Sequence, residues 1–178
     1  MSKIIGFWNH TNEQYEFLSN FYEHDFEAPI APFSKKEMGT FHASEQYFMY
    51  LKCLVFKDND SANKILNLKK GTHPSAYKKI GRSLKGYDQF DQSYKMTVGQ
   101  KWEEIKDTIM KKAVFYKFKD ENLKKRLIET QNAILVEASP YDYYWGAGVG
   151  LSNIHSENWP GKNKLGLILM DIRSKSNN

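Results

Sequence analysis

The stretch Phe41-His42-Ala43-Ser44-Glu45-Gln46-Tyr47-Phe48-Met49-Tyr50-Leu51-Lys52 decides how this chain folds and where its chemistry sits. It reads as a helix with Ser44 as N-cap, which places Glu45 in the first turn, where unpaired amides and the helix dipole favour a carboxylate. At 3.6 residues per turn, about 700° of rotation separates Glu45 from Lys52, so both leave one face with a rise of roughly 10 Å between them. Phe48, Met49, Leu51 and Leu54 surround Lys52 with apolar groups, and desolvation there lowers an amine's pKa toward a neutral, nucleophilic form. Two readings fit the segment: a catalytic acid and amine, or an acid complementing a dipole and a lysine that snorkels to water.

Working outward, Trp102, Ile105, Ile109, Ala113 and Tyr116 recur at helical intervals over 100–118, opposite Glu103, Lys106, Asp107 and Lys111, which is the pattern of a core-facing helix. Shorter helices are expected at 61–68, ended near Gly71, at 74–80 with Pro74 in the first turn, and at 121–129. Leu165, Ile168, Leu169 and Ile172 define a closing amphipathic helix, and 133–137 reads as a buried strand. The first 40 residues, with 4–8, 15–18 and the turn-rich 28–32, read as short strands and loops forming a small sheet or cover. The class is α+β, mainly helical with a small β-sheet. Without linker, repeat or low-complexity tract, residues 1–178 are expected to form a single domain with a frayed end at 174–178.

The 178 residues, 40% hydrophobic and 15% aromatic, suffice for a packed core. No run approaches the roughly 18 apolar residues of a membrane span, and residues 1–7 lack a signal-peptide core, so a cytoplasmic location without membrane partner is expected. Cys53, the single cysteine, excludes an internal disulfide and a cysteine-based zinc site and is expected in the core. His10, His24, His42, His73 and His155 show no metal-ligand spacing, so neither metal nor other cofactor is expected. A net charge of +5 suits a phosphorylated substrate or a nucleic acid equally, and the lysine pairs that supply much of it are spread along the chain as on a solvated surface.

A second dense segment, Glu137-Ala138-Ser139-Pro140-Tyr141-Asp142-Tyr143-Tyr144-Trp145-Gly146-Ala147-Gly148, leaves the 133–137 strand without forming a phosphate loop or a dinucleotide fingerprint. Tyr144 and Trp145 offer flat faces to a heterocycle, Gly146 close backbone approach, and Asp142 an acceptor or base. The same composition also builds a tight, aromatic-capped loop. Arg82, in Ile80-Gly81-Arg82-Ser83, has the planar fork that clamps phosphate.

Taken together these segments resemble the YbiA-like, or NADAR, family. The resemblance runs from Phe17-Leu18-Ser19-Asn20-Phe21-Tyr22 through Ser44-Glu45-Gln46-Tyr47-Phe48 to Lys52, then Gly81-Arg82, Trp102, Lys117-Phe118, 127–130, Leu135-Val136-Glu137-Ala138, Asp142, Trp145-Gly146 with Gly148, and Asn163-Lys164-Leu165-Gly166-Leu167-Ile168-Leu169-Met170 to Arg173. It therefore covers 17–173 in the family's order. The resemblance implies a cofactor-free N-glycosidase that cleaves the bond from ribose C1′ to a nitrogen. Its implied substrates are phosphoribosylamino-pyrimidine intermediates of riboflavin synthesis or ADP-ribosyl compounds, the latter including ADP-ribosyl guanine in nucleic acid.

Breaking that bond builds positive charge on the sugar, which a carboxylate stabilises while a second group handles the proton of the leaving nitrogen. Glu45 and Asp142 can divide these tasks, with Lys52 attacking C1′ of the ring-opened ribose to form a Schiff base; an oxocarbenium route without covalent intermediate is the alternative. Under the resemblance, Arg82 holds a phosphate, while Tyr144, Trp145 and Gly146 receive the base. Ser19 and Asn20 either hydrogen-bond the sugar or phosphate or serve as turn caps. Two stretches depart from the family pattern: 83–101, longer than expected before Trp102 and carrying Tyr87, Phe90 and Tyr94, and 151–162. Such aromatic and basic loops suit a splayed nucleotide or plain solvent exposure. The implied partner is a small phosphorylated ribosyl substrate or ADP-ribosylated nucleic acid, with no obligate protein partner. A noncatalytic ADP-ribose or nucleotide-binding module is the reading of another class.

Overall fold

Local periodicity becomes structure in the order β1 (Ile4–Phe7), β2 (Phe26–Ala31), β3 (Ser34–Phe41), α1 (Ser44–Val55), α2 (Asn59–Leu66), α3 (Ser75–Arg82), β4 (Phe90–Asp91), β5 (Met96–Thr97), α4 (Val98–Lys117), α5 (Glu121–Glu129), β6 (Ile134–Glu137) and α6 (Lys164–Ser176). The computed structural model of the chain describes residues 3–9, 13–31, 34–155 and 158–176, with 34–36 described by backbone alone. His10, Pro32 and residues 177–178 of the expected frayed end lie outside the described residues, and 174–176 form the last turn of α6. The architecture is α+β and mainly helical. Its strands form three separate pairs among the described residues, β1–β6, β2–β3 and β4–β5, rather than one small sheet.

By backbone proximity the chain divides into two compact units, Met1–Tyr22 with Phe118–Asn178, and Glu23–Lys117. In the first, β1 and β6 run parallel with Ile4 opposite Ile134 and Phe7 opposite Glu137. Val136, Ala138, Ala147 and Ile154 form a buried cluster against which Ile4, Trp8 and Trp159 pack. Helix α6 crosses β6 so closely that a Cβ on Gly166 would lie 2.1 Å from the Leu135 carbonyl oxygen, so only glycine fits that crossing. Just before α6, Asn163 adopts φ +48°; its Oδ1 accepts from the Glu137 amide at 3.0 Å and its Nδ2 donates to the Leu135 carbonyl at 2.8 Å. One side chain thereby satisfies backbone groups of β6 that would otherwise be buried unpaired. Arg173, buried in α6, donates to Thr130 Oγ1 and to the Ala133 carbonyl. The segment 15–18, read among short strands and loops rather than helix, contains a 3-10 turn over Glu16–Leu18 that buries Phe17 and Leu18 on successive positions, which an alternating strand does not.

The second unit is organised around α1, which α2, α3 and α4 flank. Residues 44–51 of α1 are all buried, so this helix is a core element on every side rather than an amphipathic one. Phe26, Phe41, Tyr47, Tyr50 and Tyr116 stack and tilt against one another beneath the β2–β3 hairpin. The hydroxyls of Tyr47 and Tyr50 donate to the carbonyls of Pro29 and Ile30 at 3.0 and 2.6 Å. Of the short strands and loops expected here, the turn-rich 28–31 is strand. A proline is accepted there because β2 has a single hydrogen-bonded neighbour and its register slips between Pro29 and Ala31.

Candidate active site

Helix α1 starts one residue earlier than the sequence suggests. Ala43, in an extended conformation with no side-chain cap bond, is the N-cap, and Ser44 is the first helical residue. Gln46 replaces the expected serine cap: its Oε1 accepts from the His42 amide at 2.7 Å while its Nε2 donates to the Ile65 carbonyl at 2.9 Å. This resembles the back-bond of a capping box and ties the helix entry to α2. Glu45 sits in the first turn, only 4% exposed.

Two turns on, the Lys52 ammonium lies 5.3 Å from the ring centre of Trp102 and 5.6 Å from that of Phe56. Burial in this aromatic setting lowers its pKa, against the opposing pull of Cys53, Glu103 and Glu45, while Arg82 adds to the lowering. Glu45, Lys52 and Arg82 are therefore brought into one electrostatic neighbourhood. Phe56, one turn beyond Lys52, was legible as an i, i+4 partner. Glu103, placed by periodicity on a solvated face, was not: it is ion-paired with Lys106 and lies within the field of Lys52, and only the packing of α4 against α1 brings it there. Cys53 is fully buried, its thiol pushed up to about 12 by desolvation, an unreactive core cysteine.

Arg82 closes α3, whose positions 75, 78, 79 and 82 share one face. With Ser75, Lys78, Lys79 and Ser83 it lines a cleft of about 380 Å³. A second depression of about 420 Å³ shares Ser83 and includes Phe56, Asp58, Asn59, Asp60 and Lys85 in its lining. Among the described residues no group of three His, Cys, Asp or Glu is arranged to hold a metal ion, and no helix is long and apolar enough to cross a membrane.

The remaining predicted positions lie in the other unit. Asp142 Oδ1 accepts from the amides of Tyr144 and Trp145 at 2.9 and 2.7 Å, so one carboxylate oxygen organises the loop. Tyr144 meets Trp145 edge-on at 5.0 Å, and Lys162 lies 5.1 Å above the Tyr144 ring. Gly146 is enclosed by backbone: a Cβ there would lie 2.8 Å from the Asp142 carbonyl oxygen, and its own carbonyl accepts from the Asn163 amide at 2.9 Å. The glycine serves chain-to-chain approach. Ser19 and Asn20 are buried, and Ser19 Oγ accepts from the Phe21 amide at 3.2 Å, the geometry of a turn cap.

Comparison with known proteins adds to this geometry. The model of the NADAR domain family matches residues 6–176. Protein irg-1 of Caenorhabditis elegans is 36% identical over 89% of this chain and 74% of its own length. N-glycosidase R617 of Acanthamoeba polyphaga mimivirus is 34% identical over 79% of this chain and 78% of its own. N-glycosidase YbiA of Escherichia coli is 31% identical over 97% of this chain and 88% of its own. The NMR structure of E. coli YbiA superposes with a TM-score of 0.69 at 28% identity, covering 98% of this chain and 85% of that one.

Proposed function

This chain belongs to the NADAR domain family, and from that premise we propose that it is an N-glycosidase hydrolysing the C1′–nitrogen bond of a phosphoribosylamino-pyrimidine or an ADP-ribosyl compound. The observation that carries the reading is Lys52, an amine whose pKa is lowered by burial against Trp102 and Phe56, with Glu45 on the same helix. A neutral amine is a nucleophile; a solvated ammonium is not. The family match runs through both compact units, and we take 1–178 as one functional domain acting in the cytoplasm.

In the proposed route the ribose ring opens and the neutral Lys52 amine adds to C1′. Glu45, a carboxylate at the outset, takes the proton that the Lys52 nitrogen sheds on adding to C1′ and passes it to the departing nitrogen, which leaves with the C1′–N bonding pair and yields a Schiff base on Lys52. Water adds to C1′, Lys52 leaves as amine, and the sugar aldehyde is released, restoring every group. Arg82, beside a cleft lined by lysines and serines, holds the phosphate. Asp142 takes a share of the proton traffic. Ser19, Asn20, Tyr144, Trp145 and Gly146 are assigned to substrate by family resemblance, and their bonds in this structure are equally those of caps and loop closure.

The cation-lined face of α3 favours a second substrate within the same class, ADP-ribosyl guanine in a nucleic acid, whose backbone would lie along Lys78, Lys79 and Arg82. The test is incubation with a phosphoribosylamino-pyrimidine, free ADP-ribose conjugates and guanine-ADP-ribosylated DNA, with released sugar measured by mass spectrometry. Release that Glu45→Gln abolishes, together with borohydride trapping of sugar on Lys52, is the expected result. Binding without release by wild type would make the chain a nucleotide-binding module instead.

A further inference from the structure

We propose that Tyr87, carried on the segment 83–97 that links α3 to α4, is a specificity-determining residue of the Lys52 site, offering its ring as a stacking face to a planar nitrogen heterocycle, the leaving base. The inference rests on the N-glycosidase reading and deepens it.

Phe48, Trp102, Phe56 and Tyr87 form one continuous aromatic wall, with ring centres 5.4, 6.4 and 6.0 Å apart in that order. Lys52 stands over its middle, against Trp102 and Phe56. Those two rings are 6% and 7% exposed, whereas Tyr87 is 48% exposed. The wall beneath the nucleophile therefore reaches solvent at Tyr87.

A half-exposed ring serves recognition only if it is held still, because ordering a free side chain would offset the gain from stacking. Tyr87 is held. Its ring packs so tightly on the first turn of α4 that a Cβ on Gly99 would lie 2.2 Å from Cε1. Its carbonyl accepts from the Gly99 amide at 2.7 Å. Its hydroxyl, kept protonated first by desolvation and then by the charge of Glu103, feels the same carboxylate that acts on Lys52. The charge of Glu103 thus acts on both the stacking face and the amine. Phe56, next in the wall, also lines the depression of about 420 Å³ in which Asp58, Asn59 and Asp60 present acceptors and Lys85 a donor. That volume suits a small ligand, and acceptors in its lining suit a ring bearing amino and imino hydrogens.

Titration calorimetry with guanosine 5′-monophosphate and ribose 5-phosphate tests this on wild type, Tyr87→Leu and Tyr87→Phe. Tyr87→Leu keeps apolar bulk and loses the π-face. It should weaken guanosine 5′-monophosphate by about tenfold, leave ribose 5-phosphate unchanged, and keep the circular dichroism spectrum of wild type. Tyr87→Phe should stay within about twofold of wild type. Equal effects on both ligands, no effect on either, or wild type that fails to prefer the base-bearing ligand would each overturn the assignment. Sugar release assayed in parallel separates the two readings: turnover without base preference sinks Tyr87 alone, and Tyr87-dependent base binding without turnover sinks the hydrolase alone.

Discussion

Helix α1 and the loop 137–148 are the two segments richest in reactive and aromatic side chains, and they spend them differently. Beyond its first turn α1 bonds its own backbone, so Glu45 and Lys52 are held by packing and their charges act on each other, on Arg82 and on Glu103. In the loop the backbone has no ladder of its own. Asp142 is drawn onto the amides of Tyr144 and Trp145, and the glycines admit neighbouring strands of chain. A regular element needs few of its side chains to satisfy its own backbone, whereas an irregular one spends them on its own N–H and C=O groups.

The sharpest way to break this contrast is at Lys52. Lys52→Arg keeps the cation and removes the nucleophile, so sugar release should fall by about a thousandfold or more with the circular dichroism spectrum unchanged. Retained turnover would reduce α1 to architecture and erase the distinction from the loop.

On the loop's side the largest effect should be on stability. Asn163→Gly accepts the positive φ but strips the two bonds to β6, orphaning the Glu137 amide and the Leu135 carbonyl. Chemical denaturation should report a loss of about 3 kcal/mol. A loss below about 1 kcal/mol would mean that water replaces the side chain.

Asp142 is where the two behaviours meet. Asp142→Asn retains the accepting oxygen and should unfold within about 0.5 kcal/mol of wild type, while Asp142→Ala should cost about 1 kcal/mol, as for a lost cap. If Asp142 also moves a proton, the asparagine variant is slower by at least about tenfold; full activity would leave it a loop cap only.

The smallest effect is a pair of opposite shifts in the pH dependence of kcat/KM. The groups acting on Lys52 are Glu45 and Cys53 from α1, Arg82 from α3 and Glu103 from α4. The amine must be neutral to attack, so activity rises through its pKa. Glu103→Gln removes an anion that favours the ammonium and should move the rising limb to lower pH. Arg82→Gln removes a cation that disfavours it and should move the limb higher. Shifts of the same sign would exclude Lys52 as the titrating group.

What the sequence determined by itself is local. Helical period placed α1, α4, α5 and α6 to within a few residues, because side chains three and four positions apart must share a face whatever surrounds them. The same period put Glu45 and Lys52 together on α1, and apolar neighbours foretold the lowered Lys52 pKa. Tertiary structure decided whatever depends on partners distant in the chain. Parallel pairing of β1 with β6 joins Ile4 to Ile134, and no local pattern encodes a hydrogen-bond partner so far away. Gln46 rather than Ser44 secures the start of α1 because its other end reaches the Ile65 carbonyl. Glu103 keeps the exposure that periodicity assigns it, yet it enters the field of Lys52 because α4 packs on α1. Hydrophobic spacing fixes which face is buried, but the charge that a buried amine feels is set by whichever elements fold against it.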